Sequence, residues 1–142
     1  MKGHSDLWIK DRILWAAQKN GLPTGMTSFY EDSKCLLPGV RNNANNADIP
    51  VLLIAAGENR WTILGTDKII TNEAGTIKEI ILDNIKQVRW PSEKDVPVKR
   101  DCDFIVIEDY AVVEHRLWVP SGSEFYAIFN ILLRLQQLKV GN

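Results

Sequence analysis

A chain of 142 residues with 45% hydrophobic composition is long enough for one domain with a real core and needs no second domain. Seventeen basic and eighteen acidic residues leave a formal charge of −1, which excludes a global field that would draw the protein to nucleic acid or to an anionic membrane. Two cysteines, Cys35 and Cys102, are too few for a disulfide scaffold, and neither has a second cysteine or a histidine at metal-ligand spacing, so a reducing cytoplasm is expected, with no metal or cofactor.

At the N-terminus, Lys10, Asp11 and Arg12 interrupt what a signal peptide would keep apolar, and no apolar run approaches the ~18 residues of a membrane span. Ser5 is placed to cap a helix over residues 6–17, which Asn20, Gly21 and Pro23 would stop. Trp8 and Trp15 stack on one side of this helix with Leu7 and Leu14 nearby, while Ile9, Ile13 and Ala16 lie almost opposite. Such a helix calls for contact on two sides, and the flank of a second, C-terminal helix is the economical place for it.

Residues 22–33 mix Pro, Gly, Thr and Ser with Phe29 and Tyr30 and read as a loop pinned by its aromatics. Lys34 to Leu37 has the character of a short strand. The next stretch, residues 40–48, holds four asparagines in five positions and reads as an exposed, mobile connector.

From Ile49 onward the texture is β-type runs separated by close turn signals, the pattern of an antiparallel meander. The expected strands are 51–56, 60–64, 68–71, 76–82, 85–90, 104–107 and 111–119, with Glu108, Asp109 and Tyr110 forming the last hairpin turn. Residues 91–101 carry two prolines and six charges and read as a loop.

The final run opens with Ser121 and Glu124 at the spacing of a capping box, so a helix is expected from about Gly122 to Lys139. At about 100° per residue, Phe125, Ile128, Phe129, Leu132, Leu133 and Leu135 fall on one side with Ile131 and Leu138 beside them, an arc too wide for a single contact. The helix therefore reads as a plug over a curved sheet.

Seven strands followed by one C-terminal helix, with the phrases at residues 61–70 (WTILGTDKII) and 80–90 (IILDNIKQVRW) and the Ser–Gly–Ser–Glu entry into an aromatic-rich helix, resemble bacterial members of the pleckstrin-homology-like superfamily. The resemblance spans about residues 50–139 and leaves the helix of residues 1–21 as an extension of a single domain, 1–142. It implies a mainly β, α+β fold: a partly open barrel of about seven antiparallel strands, from two nearly orthogonal sheets, closed by the helix. It implies no one function, because the superfamily holds lipid binders, peptide binders and oligomerising scaffolds.

Headgroup-binding pleckstrin domains converge several lysines and arginines on the first hairpin, since inositol phosphates need multiple cations within hydrogen-bond reach. Here residues 55–61 supply Arg60 beside Glu58, and Lys86, Arg89, Lys94, Lys99 and Arg100 are interleaved with acids, so membrane-lipid binding ranks second. His115 lies mid-strand as a packing histidine, Asp101 and Asp103 disfavour a Cys102 thiolate, and no phosphate loop or nucleophile elbow occurs. No catalytic residue is assigned.

Aromatic surface remains. Trp8, Trp15, Trp90 and Trp118 combine large area with few rotatable bonds, and the acidic turn of Glu108, Asp109 and Tyr110 suits a basic target. The expected function is a non-enzymatic interaction module, recognising itself or a protein partner. An immunity-type protein that neutralises a toxin is a further alternative. The chain stops at Asn142, directly after the helix, so its function is expected to be complete in binding.

Overall fold

A computed structural model describes residues 3–33, 37–92 and 102–140. Helix α1 (Asp6–Lys19) starts where the sequence places it, with the Ser5 hydroxyl accepting the Trp8 N–H at 3.2 Å. Its buried residues Ile9, Ile13, Ala16 and Ala17 lie on one stripe, packed against the C-terminal helix α3 (Ser123–Val140). On the opposite side, Trp8 and Leu14 are half-buried and pack against the main core. Leu7 and Trp15 face solvent, and Trp8 stacks on His4 with ring centroids 3.8 Å apart. The Lys19 ammonium and Arg134 guanidinium lie 5.5 and 5.9 Å from the Trp15 ring centre, so cation contacts replace a packed neighbour.

Among the described residues, eight strands form two antiparallel sheets. Strands β1 (Thr27–Phe29), β2 (Pro50–Gly57), β3 (Arg60–Gly65), β4 (Lys68–Glu73) and β5 (Thr76–Ile81) make a five-stranded sheet in sequence order. Strands β6 (Ile85–Arg89), β7 (Phe104–Asp109) and β8 (Glu114–Trp118) make a three-stranded one, also in sequence order. The seven strands expected from alternation are all present, and β8 begins three residues later than expected because residues 110–113 form the turn.

Strand β1 replaces the expected loop. It pairs with β2 from Thr27 opposite Ile54 to Phe29 opposite Leu52. What holds it is Glu124, whose carboxylate accepts the Met26 N–H at 3.1 and 3.2 Å and the Thr27 hydroxyl at 2.6 Å. Gly25 makes room, since a Cβ there would collide with that carboxylate. The capping box with Ser121 does not form. Helix α3 begins only at Ser123, so Glu124 sits in its first turn and points across to β1.

The main core lies between the two sheets and α3. Leu52, Ile54, Leu64, Ile69 and Ile80 from one sheet meet Ile85, Ile105, Ile107 and Leu117 from the other, and Phe125, Ile128, Ile131, Leu132 and Leu135 fill the space from α3. Leu133, assigned to this arc from the sequence, is exposed, and Ala127 is buried in its stead.

A second core covers the outer face of the larger sheet, and it corrects the reading of the asparagine-rich stretch. Residues Pro38–Asn43 form helix α2, continued by a 3-10 turn over Ala44–Ala47. Val40, Ala44 and Ala47, spaced by four and three, pack on Leu53, Trp61, Ile63 and Ile70, while Asn42, Asn45 and Asn46 face water. The asparagines are the polar face of a short amphipathic cover. Gly65 is required beneath it, because a Cβ there would overlap the carbonyl and side chain of Ala47. Of the expected strand over residues 34–37, the first three lie outside the described residues, and Leu37 precedes α2.

Among the described residues no backbone ladder joins the two sheets, so they do not close into a barrel. A ring of side-chain hydrogen bonds joins them. The Trp118 N–H donates to Thr71 Oγ1 at 3.3 Å, Thr71 and Thr62 hydroxyls meet at 2.8 Å, and Thr62 Oγ1 donates to the Trp118 carbonyl at 2.7 Å. All three residues are buried, so any one of these bonds is costly to leave unmade. Thr62→Val keeps the shape and removes a link; it should cost about 1–3 kcal/mol in urea unfolding, with Thr71→Val adding much less in the double variant. Gly65→Ala should cost a similar amount, about 1–3 kcal/mol, and should increase hydrogen exchange selectively in residues 38–47.

Candidate functional site

The seven residues singled out from the sequence do not form one site. Trp118 is core, its side chain packed between the sheets, and has no surface to offer. Trp90 leans on Phe125, Tyr126 and Phe129 with ring centroids 4.8–5.1 Å apart, an aromatic cluster that joins the end of β6 to α3. Trp15 lies on the solvent side of α1, and Trp8 is half-buried against the main core. Glu108, Asp109 and Tyr110 come together at the β7–β8 hairpin, where the structure adds Val112 and Val113.

That hairpin is built by one carboxylate. Asp109 is buried, and its Oδ1 accepts the Ala111 N–H at 2.9 Å and the Val113 N–H at 3.0 Å. Its Oδ2 meets His115 Nε2 at 2.9 Å. The backbone closes the loop twice more, with Asp109 and Val113 joined at 3.0 Å and the Val112 N–H donating to the Asp109 carbonyl at 3.0 Å. Inside this frame Val112 is held at a φ of 63°, a left-handed conformation that is rare for a β-branched residue.

The acidic character expected of this turn is consumed internally. Asp109 serves the loop, Glu108 lies 3.7 Å from Lys86, and Glu114 lies 2.7 Å from Arg89. Beside the Glu114 side chain, 56% exposed, what reaches solvent at the tip is apolar: Tyr110 is 61% exposed, Val112 69% and Val113 49%. Lys139, whose ammonium donates to the Leu82 and Ile85 carbonyls at 3.0 and 2.9 Å, stands 5.8 Å from the Tyr110 ring centre. Burial lowers the affinity of Lys139 for its proton, and the nearby Asp83 partly restores it.

The first hairpin, where the resemblance would place a headgroup, offers a shallow depression lined by Ala56, Gly57, Asn59, Arg60 and Ala74. Arg60 is its one cation. Asn72 braces it from below, donating to the Glu58 carbonyl at 3.3 Å and accepting the Gly75 N–H at 2.9 Å. A second cleft, between β4, β5 and β8, has Lys78 and Arg116 on its walls with Thr71 and Thr76, but Glu73 lies there too and opposes an anion. Among the described residues no group of three His, Cys, Asp or Glu side chains is arranged to hold a metal, and no helix is long and apolar enough to cross a membrane. Cys102 is buried. Neither a family model, a curated protein nor a solved structure matches this chain.

Sequence reasoning identified Tyr110 but overlooked Val112 and Val113, since it assigned residues 111–119 to a strand. The available signal was Asp109 itself: an aspartate two and four residues before N–H groups it can accept is a turn former.

Asp109 holds its proton less readily than an ordinary carboxyl, first because of the His115 hydrogen bond and then because of the Val113 and Ala111 N–H groups. A folded-state pKa below the unfolded one adds stability above the unfolded value and loses it as pH falls through the folded value. Asp48 is shifted the opposite way, chiefly by a hydrogen bond shared with Asp6, so the whole-protein acid profile contains opposing contributions. The difference between wild type and Asp109→Asn isolates the hairpin. It should be full at neutral pH and shrink below the usual carboxylate range, and His115→Ala should move the Asp109 NMR titration midpoint upward.

Proposed function

We propose that the protein is a non-enzymatic interaction module that recognises a protein partner through the apolar tip of the β7–β8 hairpin. The observation that carries this reading is the combination of Tyr110, Val112 and Val113 in solvent with a backbone locked beneath them by Asp109. Exposed aliphatic and aromatic groups on a fixed frame gain area on binding without an ordering cost. Aromatic side chains in such positions commonly become the energetic anchors of an interface.

A pleckstrin-homology-like identity is supported by the element order, with four strands β2–β5, then β6–β8, then α3 as a cover. Within that framework the single cation at the first hairpin gives no support to phosphoinositide recognition. The ion pairs of Glu108 with Lys86 and Glu114 with Arg89 likewise reduce the negative charge offered to a basic toxin. His115 and Asp109 form a hydrogen-bonded pair, but the carboxylate's remaining oxygen is occupied by two backbone N–H groups, so the pair serves the turn.

The test compares proteins captured from host extract by the wild type and by a Tyr110→Ala, Val112→Asp variant of equal thermal stability. A specific partner should be depleted about tenfold or more with the variant, the scale expected for loss of an anchor residue. An identical captured set, or salt-sensitive binding to phosphatidylserine or phosphoinositide vesicles by both proteins, would contradict the reading.

A further inference from the structure

The larger sheet ends in a strand with no proline, bulge or, among the described residues, covering element at its edge, and Lys78, on the same face as the buried Ile80, is the one charge it turns inward. An unprotected edge presents a row of backbone donors and acceptors to any other chain, and proteins normally block it with proline, a bulge, a covering element or inward-pointing charge. Strand β5 is the terminal strand, and its pairing with β4 runs from Glu73 opposite Thr76 to Lys68 opposite Ile81 with no irregularity. It contains no proline. Among the described residues nothing pairs on its far side, and Ile77 and Ile81 are 46% and 47% exposed.

The turn before β5 fixes which backbone groups face outward. Ala74 and Gly75 have φ values of 54° and 89°, the signature of a two-residue type I′ turn, which makes Glu73 and Thr76 a hydrogen-bonded pair. Hydrogen-bonded and non-bonded pairs alternate in an antiparallel ladder. Thr76, Lys78 and Ile80 therefore bond inward to β4, and Ile77, Glu79 and Ile81 aim their N–H and C=O groups at the free edge. The side chains of those same three residues share the outer face, since Ile80 between them is buried in the main core.

We propose that this edge is a homodimer interface, in which β5 pairs antiparallel with β5 of a second copy about a two-fold axis at Glu79. The argument for a second copy is self-complementarity. Ile77 and Ile81 are symmetric about Glu79, so this register sets Ile77 against Ile81 of the partner subunit twice over and joins the free backbone groups of both strands. The result is one continuous ten-stranded sheet whose outer face carries four adjacent isoleucines. Two features oppose it: Lys78 stands against Ile80 of the second copy on the inner face, and the two Glu79 carboxylates approach at the axis, each with Lys68 on its own chain at 3.8 Å to moderate it. An axis shifted by one residue toward the N-terminus would set Lys78 against Lys78 and isoleucine against glutamate.

This inference deepens the interaction-module reading by naming a second copy at a surface separate from the hairpin tip. Sedimentation velocity of the full chain over a range of micromolar concentrations should show a reversible dimer. Ile81→Lys should weaken it by about tenfold or more and Glu79→Gln should tighten it severalfold, because like charges directly opposite are unfavourable. Glu79→Cys, which stands opposite its own copy, should yield a disulfide-linked dimer under mild oxidation where Lys78→Cys does not; this measurement serves if Ile81→Lys fails to fold. The Tyr110→Ala, Val112→Asp variant should dimerise as the wild type does. A monomer at all concentrations overturns the proposal, as does a dimer indifferent to Ile81→Lys and not cross-linked through Glu79→Cys. Either result leaves the tip reading intact, whereas loss of dimerisation in the tip variant would place the interface elsewhere and overturn this one.

Discussion

The arrangement of this protein depends on how two sheets without a shared ladder keep their relative position. Hydrophobic burial between them is large but non-directional, so alone it would allow the sheets to slide. The direction comes from the ring formed by Trp118, Thr71 and Thr62, where one residue's backbone donor and acceptor are both satisfied by side chains of the opposing sheet. Each hydroxyl donates to one member and accepts from the other, so the bonds polarise one another in a dry setting. Trp118 is the last residue of β8, and its neighbour Val119 is tied to Asp103 at 3.0 Å. The ring therefore fixes the base of the β7–β8 hairpin, and with it the direction in which the tip projects.

The same ring explains what could be read from the sequence and what could not. Strands β2 to β8 were legible because short β-branched runs between Gly, Asn and Asp turns carry their own period, and α1 was legible from its cap. Trp118 was not placeable as core from alternation alone: at the end of β8 both faces are covered, so Leu117, Trp118 and Val119 are all buried and the half-exposed pattern fails. Strand β1 was hidden for a different reason. Residues 27–29 have no strand period of their own; they are held by Glu124, nearly a hundred positions away, and no local pattern encodes that partner.

The asparagine-rich stretch was misread although its signal was present. Val40, Ala44 and Ala47 repeat at helical spacing, but two of the three are alanines, and in a field of asparagines an alanine stripe is easily discounted. Its burial depends on the partner surface: Trp61 and three branched aliphatics on the sheet supply the bulk, so small residues suffice on the cover. The candidate site shows the same dependence on context. Acidic residues at residues 108, 109 and 114 suggest charge, and only the geometry reveals that Lys86, Arg89, His115 and two backbone N–H groups absorb it.

The valine at the tip has a consequence for function. A left-handed conformation costs an L-residue roughly 1–2 kcal/mol, and a β-branched side chain is among the least suited to it. Glycine or asparagine would relieve Val112 while keeping every hydrogen bond in the loop, because none of them uses the valine side chain. The strain is sustained by Asp109, whose carboxylate bonds on both sides of the strained residue, and what it maintains is a valine 69% exposed to water. Packing among the described residues does not account for a residue that packs on so little. On the interaction-module reading proposed above, contact with a partner would, and such a contact would be made chiefly by shape and apolar area.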